Sequence, residues 1–597
     1  MNGSAGRLGG TVAVVRATLA MLLALVAVAL SATAASAAPA VAVSPLNGTP
    51  DASPYTQISF LGVPANEISS VSVRGSRTGA HSGHLRGYVS APGASFVVDH
   101  DFSQGESVTA SALVGPKGHS SRVSTTFTIA RLAPYQVTRG ATVELSGHGL
   151  EQGFVSQPRL KPPVVQVTTN AGVSTSDIFL TPTHGYGQSG AMILDQQGRL
   201  VWFHPVPKGV AATNLQVQTY QGQPVLTWWH GTVPAELGVG FGRDEIMNSS
   251  YKPVATVDAG NGYQADLHEF QITPQGSAFL TAYSLVSADL SSAGGRRDGI
   301  LQDAILQEVD IQTGLVMFEW HADGHVALSD SYSHAPYYTN RPFDFFHLNS
   351  ISLDPWGDGD FLISSRNTWA SYEIDHITGA VLWRLGGRKS SFKMGPGTGT
   401  AYQHDVRWQP DRTITVFDNG AVPKVHSESR ILRERIDFVH KAVKLVSRWS
   451  GKILSGSQGN TEALPGGGAF VGWGEEPYMT EYGSSGQILF SARFPQPGQS
   501  YRAYRFPWQG TPASAPAVAL KRGANGSVTV YASWNGATGI AAWRVLGGSS
   551  AANLVPLGQT PWTGLETAMT VTGAPAVLAV QAIGAGGQVL STSPATQ

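Results

Sequence analysis

The sequence predicts an all-β protein built around a six-bladed β-propeller, with an N-terminal Ig-like β-sandwich and a small C-terminal fibronectin-III-like β module. Three observations point there. A two-hairpin pattern recurs about every 55 residues between positions 161 and 511. Gly accounts for 70 of the 597 residues, while charged residues make up only 13%. Apolar runs are short and are broken by Gly, Pro, Asn and Asp, the residues that tight turns require. Many short strands explain this composition; long helices, which need more Lys, Glu and Met, do not. A chain of this length exceeds a single core and divides into several domains.

The N-terminal 37 residues have the layout of a signal peptide. Arg7 and Arg16 supply positive charge, residues 18–30 are apolar, and Ala35-Ser36-Ala37 offers a small-residue cleavage site. The apolar run is shorter than the roughly 20 residues a membrane span needs. The expectation is a secreted, extracellular or cell-envelope protein with no membrane span after cleavage; an uncleaved anchor is the alternative. Residues 38–135 alternate apolar and polar positions, as at 69–74, 95–99 and 121–129, with turns about every ten residues, which suggests the Ig-like sandwich. Residues 136–160 form a linker before Lys161-Pro162-Pro163.

Residues 161–511 carry the repeat. Its first hairpin begins at Asn214, His268, His347, His404 and Asn460, spaced by 54, 79, 57 and 56 residues. The long interval holds an extra loop, 323–342, rich in Ser, Tyr and His. A second hairpin with a Gly turn and a closing aromatic follows most copies: Asp310, Gly314 and Trp320; Asp375, Gly379 and Trp383; Tyr482, Gly486 and Phe490. An earlier one, Asp195, Gly198 and Trp202, follows residues 164–181, which read as its own first pair. Six four-stranded units result, each the size of a propeller blade. From 512 to 597 the pattern changes to strands at 528–536, 540–546 and 574–582, the fibronectin-III-like module.

In a propeller the innermost strands start beside the central axis, so the strand heads ring one channel mouth. His268, His347 and His404 occupy one repeat position, which is hard to ascribe to a core because buried imidazole nitrogens need partners. Arg366 ends the strand paired with the His347 strand, and the hairpin returns it to the His347 end. Asn349, Asn367 and Trp369 lie beside these heads and are the candidates for touching substrate, with Tyr332, Tyr337 and Tyr338 as further rim aromatics. Trp228-Trp229-His230 and Trp473-Gly-Glu475-Glu476 read as packing at unit ends.

Other chemistries are excluded or unsupported. The chain has no cysteine, which removes disulfides, Cys-ligated zinc, Fe–S clusters and a thiol nucleophile. A net charge of −1 without a basic stripe gives no field for nucleic acid. The ring of histidines leaves three readings open: group transfer through a histidine, a His-ligated metal enzyme (oxygenase or hydrolase), and a non-catalytic binding or adhesion propeller. A cationic Arg366 beside a divalent ion disfavours the second.

Five segments then resemble the arylsulfotransferase (aryl-sulfate sulfotransferase) family: His268-Glu-Phe-Gln-Ile-Thr-Pro-Gln-Gly, Asp344-Phe-Phe-His347-Leu-Asn-Ser-Ile, Ile363-Ser-Ser-Arg366-Asn, Gln403-His404-Asp, and Phe417-Asp-Asn-Gly420. The resemblance covers residues 160–510. It implies a six-bladed propeller, an N-terminal β-sandwich, and ping-pong transfer of a sulfuryl group from a phenolic sulfate to a phenol. It implies no nucleotide donor, cofactor or metal. Carried over, His404 matches the histidine that becomes sulfurylated, and His268, His347 and Arg366 match residues around the sulfate. The chain departs from the bacterial periplasmic members in lacking a cysteine pair and in its extra C-terminal module.

Overall fold

A computed structural model describes residues 41–135, 140, 142–172, 174–339, 341–356 and 359–597. The signal-peptide segment 1–37 and part of the linker, 136–139 and 141, lie outside the described residues. The described chain is all-β: its helical segments are four single 3₁₀ turns of three residues each. No described helix is long and apolar enough to cross a membrane.

The N-terminal region forms two four-stranded antiparallel sheets. One orders Ala42–Ser44, Ile58–Leu61, Gly93–Val98 and Gly83–Gly87; the other orders Gly79–His81, Ile68–Gly75, Ser107–Val114 and Ser121–Thr128. In Ser107–Val114 every second residue is buried, as expected of a strand with one face in a core. The C-terminal region holds a three-stranded sheet (Ala517–Arg522, Val528–Ser533, Glu566–Val571) and a four-stranded one (Val555–Pro561, Ile540–Gly548, Val577–Gly584, Val589–Thr592). Trp543, Val545 and Val580 fill the core there.

Between these regions the chain builds six antiparallel four-strand units. The second to sixth begin with Ala211–Tyr220, Ala265–Ile272, Leu348–Leu353, His404–Trp408 and Asn460–Ala463, and each adds its next three strands in chain order. The second and third units touch through one pair, Gly242 with Ala265. The first unit is assembled differently. Asp177–Thr183, Gly190–Leu194 and Leu200–Pro205 are completed by Gln499–Phe506, which pairs with Asp177–Thr183 from the far end of the region. Gln166–Asn170 does not start this unit, as the sequence pattern suggests, but joins the outer edge of the sixth beside Ile488–Arg493. Exchanging strands in this way ties the two ends of the region to each other. The first strands lie side by side in chain order, and Gln499–Phe506 neighbours both Asn460–Ala463 and Ala211–Tyr220.

Burial follows this arrangement. Asp177–Thr183 and Gly190–Leu194 are buried at every residue, because inner strands pack against neighbouring units on both faces. An outer strand such as Ala442–Trp449 alternates with solvent. Four of these five first strands share one irregularity near their heads: the register shifts at Thr213/Gln216, Ala265/Phe270, Leu348/Ser350 and His404/Arg407. Such bulges bend a strand and re-aim its side chains. Asn214, His347 and Asp405 take left-handed φ values of 65°, 57° and 52° at these points, a region that Asn, Asp and His tolerate best.

Side chains tie adjacent inner strands. Thr213 Oγ1 donates to Leu267 O (2.9 Å), Asn349 Nδ2 to Gln403 O (2.8 Å) and Asn460 Nδ2 to Ala503 O (2.8 Å). Beneath them Arg502 donates to Asn214 Oδ1 (3.0 Å), Glu269 Oε2 (3.3 Å) and Asn349 O (2.7 Å). Arg407 pairs with Glu269 (2.5 Å) and Asp405 (2.7 Å). Two guanidiniums and two carboxylates thus balance in the buried centre, where an unpaired charge would cost several kcal/mol, on the order of 3–5.

Candidate active site

The bulged strand heads open onto a cavity of about 710 Å³ whose lining includes His268, Asp344, His347, Arg366, His404 and Tyr501. The four principal residues expected from sequence are therefore together. Arg366 reaches the His347 end by backbone pairing: its N–H donates to His347 O at 3.0 Å, and Asn367 N–H donates to Phe346 O at 3.1 Å.

The three imidazoles are held in two different ways. Nδ1 of His268 lies 2.5 Å from Asp266 Oδ2, and Nδ1 of His347 lies 2.5 Å from Asp344 Oδ2. The His268 and His347 rings meet edge to face, centroids 4.8 Å apart at 85°. Thr281 Oγ1 (3.0 Å) and the Gly240 N–H (2.6 Å) also donate to Asp266. Burial alone would raise the Asp266 carboxyl; His268 and these donors outweigh it and hold the group below its usual range. His268 is itself pushed down, burial exceeding the opposing pull of Asp266.

His404 has no carboxylate partner. Its Nδ1 lies 2.7 Å from Asn419 Oδ1. The Asn419 amide nitrogen donates to Ser455 O (3.2 Å) and Gln458 O (3.0 Å), which fixes Oδ1 toward the ring. The proton therefore sits on Nδ1. Nε2 keeps its lone pair, and the Gln458 N–H approaches that atom as a donor at 3.3 Å. Burial first, and then the charge of Arg366, hold His404 well below the ordinary imidazole range. The result is a neutral ring with an unprotonated nitrogen on the cavity side.

Arg366 is shaped for an anion. Nη1 donates to Asn367 Oδ1 (2.9 Å), and the guanidinium lies 4.8 Å over the Tyr402 ring. These contacts fix its plane, and a fixed guanidinium can donate two parallel bonds to a tetrahedral anion. Tyr501, which lines the cavity against His268 (centroids 5.6 Å apart), has a buried hydroxyl with no partner.

Other expected residues sit behind this wall. Asn349 is fully buried and its amide is the inter-strand tie to Gln403 O. Asn367 donates to Asp344 O (2.7 Å) and accepts from Arg366, so it supports the site from behind. Trp369 stacks on Tyr332 (3.7 Å, 3°) and meets Tyr402 edge-on. Tyr337 and Tyr338 are exposed, at 59% and 92%. None of these six lines the cavity. Trp229 is packing, donating from Nε1 to Ala265 O. Among the described residues, the group of three or more His, Asp or Glu whose ligand atoms fall within 4.8 Å of one another is Asp51, Asp303 and His321, not the cavity histidines.

Sequence reasoning assigned no role to Asp266, Asp344, Asn419 or Tyr501. Asp344 and Asn419 stand in the segments that resemble the known family. A carboxylate two or three residues before a strand-head histidine was the available signal.

Comparison with known proteins gives one family. Residues 216–495 match the family model described as arylsulfotransferase (ASST). No curated protein matches. Solved structures with some likeness include a catalytically inactive virginiamycin B lyase from Staphylococcus aureus with quinupristin, at 10% identity and a TM-score of 0.30, covering 62% of this chain and 96% of that one. A quinonprotein alcohol dehydrogenase-like protein from Bacteroides thetaiotaomicron matches at 10% identity and a TM-score of 0.27, over 77% of this chain and 96% of that one. Saccharomyces cerevisiae Sqt1 matches at 11% and 0.26, over 83% and 93%. None of these likenesses bears on function. Over residues 216–495, this chain is similar to the arylsulfotransferase family.

Proposed function

We propose that this chain is a secreted aryl-sulfate sulfotransferase that moves a sulfuryl group from a phenolic sulfate to a phenol through a sulfohistidine at His404. The scaffold in this reading is a six-bladed β-propeller closed by Gln499–Phe506, flanked by an Ig-like sandwich and a fibronectin-III-like module. The side-by-side first strands support closure, and the signal-like residues 1–37 support secretion. The observation that carries the chemistry is the fixed tautomer of His404, with Nδ1–H on Asn419 and an unprotonated Nε2 in the cavity that Arg366 also lines.

In the first half-reaction Nε2 of His404 attacks sulfur. The N–S bond forms as the S–O(aryl) bond breaks, and the aryl oxide leaves with the electron pair. Arg366 binds two sulfuryl oxygens, and Tyr501 Oη donates to a third. A proton from Nε2 of cationic His347 reaches the leaving oxygen and yields the phenol. His347 takes this role because it is the more open of the pair, its side chain 10% exposed against 3% for His268, while burial favours neutral His268. In the second half-reaction neutral His347 takes the proton of the incoming phenol, the new O–S bond forms, and the N–S electron pair returns to His404. Division into two steps makes each easier. Positioned acid–base help contributes about 10²–10⁴, and fixed donors stabilise the charge spread over the sulfuryl oxygens.

The test is incubation with an aryl sulfate and a phenol, followed by mass spectrometry of donor-treated protein. One SO₃ adduct on His404 and a new aryl sulfate are expected. Persistent turnover by folded His404→Ala rejects the histidine mechanism.

A further inference from the structure

A buried cluster away from the cavity contains a second set of polar side chains. Nδ1 of His321 lies 2.9 Å from Asp303 Oδ2 and 3.0 Å from Asp51 Oδ1, and its Nε2 lies 3.1 Å from Glu319 Oε1. Exposure is 4% for Asp51, 0% for Asp303 and 1% for both His321 and Glu319. Asp303, Glu319 and His321 belong to the third unit, while Asp51 comes from the N-terminal region, between Ala42–Ser44 and Ile58–Leu61.

The hydrogen bonds around Glu319 define the problem. Its Oε2 accepts from Gln307 Nε2 (2.6 Å) and Asn261 Nδ2 (2.8 Å), so this carboxylate is already oriented. Its Oε1 then takes the Nε2–H of His321, and Nδ1 faces two carboxylate oxygens. A single proton on Nδ1 serves Asp303. It leaves Asp51 unserved, and neither Asp51 oxygen has a hydrogen-bond partner. A carboxylate that is almost wholly buried and accepts no hydrogen bond is costly, and this one faces the His321 ring, 3.0 Å from Nδ1.

A cation answers all three groups at once. Ligands about 2.0–2.2 Å from a first-row divalent ion stand roughly 3.0–3.5 Å apart between right-angle and tetrahedral geometry, and Nδ1 lies 2.9 and 3.0 Å from the two carboxylates, at the short end of that range. We propose that Asp51, Asp303 and His321 bind one Zn²⁺-class divalent cation, with Glu319 as the positioning residue behind His321. Two ligating carboxylates neutralise the ion, and a carboxylate on the far nitrogen of a ligating histidine is the usual support for such a site. An imidazole with two carboxylates favours a zinc- or manganese-like ion over calcium, which takes six to eight oxygens. The ion joins the segment bearing Asp51 to the third unit.

The test uses the full chain, stripped with a chelator and titrated with Zn²⁺ by calorimetry, with elemental analysis and thermal melting alongside. One zinc per chain is expected, with a rise in Tm of about 2 °C or more. Asp51→Asn is expected to bind zinc at least tenfold more weakly and to lose that rise. In the absence of metal, a cooperative melt and a wild-type circular dichroism spectrum report that the variant folds. Folded His404→Ala should bind zinc as wild type does. No uptake of Zn²⁺ or Mn²⁺ by wild type, equal uptake by Asp51→Asn, or loss of uptake in His404→Ala overturns the site. Zinc bound here is independent of turnover, so metal content alone does not make the cavity histidines a metal centre.

Discussion

Asn419 Oδ1 accepts the Nδ1 proton of His404 at 2.7 Å, and the same amide is anchored by two backbone carbonyls. This relationship decides which nitrogen faces substrate. Asn419→Ala is expected to lower kcat by about 10–100-fold, as loss of an orienting partner does at other functional imidazoles. Asn419→Asp places a carboxylate on the ring and raises the basicity of His404. In wild type, burial and Arg366 keep His404 unprotonated to well below the ordinary imidazole value of 6.5. The acid limb of kcat/KM should therefore lie below about pH 6.5 in wild type and move upward in Asn419→Asp. Unchanged limbs in both proteins reject the assignment.

Arg366→Lys keeps the charge but removes the planar fork held by Asn367 and Tyr402. A drop in kcat/KM of about 10²–10³ is expected, the effect of removing one preorganised donor from a developing anion. Steady-state assays with folded protein check this, and a change under threefold contradicts the anchoring role.

Proton transfer by His347 predicts a dependence on the leaving group. His347→Gln should slow release of an unactivated phenol by about 10²–10⁴ and barely affect a nitrophenyl sulfate, whose oxide needs no proton. His268→Gln should lose less and show a weaker dependence. A plot of log kcat against leaving-group pKa for each variant separates the two, and identical slopes remove His347 from the role.

Stability carries its own pH signature at Glu434, on the strand Arg430–Asp437. Burial, with Asp418 adding to it, raises this carboxyl from 4.5 to about 8. The folded chain therefore holds a proton that the unfolded chain releases. That contribution is fully present below the unfolded value and is lost as pH rises toward about 8. Glu434→Gln, which stays neutral, should gain on wild type over that window by on the order of 1–3 kcal/mol. Denaturant melts at the two ends of the window measure the difference, and a constant offset contradicts it.

The three histidines were legible because a repeat puts equivalent residues in equivalent places. Their partners were not. Asp266 lies two residues before its histidine, Asp344 three before, and Asn419 fifteen after, just past the end of the following strand, so no common offset marks them. Asparagines misled for a related reason. The same side chain ties strands together at Asn349 and Asn460 and orients a reactive ring at Asn419, and only the fold separates these uses. Strand patterns name strands, not partners, which is why the exchange of Gln166–Asn170 and Gln499–Phe506 between the end units could not be read from their local sequence.

That exchange has a consequence for the order of events in synthesis. Asp177 lies opposite Phe506 and Thr183 opposite Gln499, so a strand made early waits for one made more than three hundred residues later. Until then the first unit has three of its four strands, and Tyr501 and Arg502 have not arrived at the cavity or beneath it. Contacts this distant in sequence form slowly, and the waiting edge is open to other chains. A ribosome-bound chain stopped before residue 499 would therefore carry all three histidines and still have no assembled pocket.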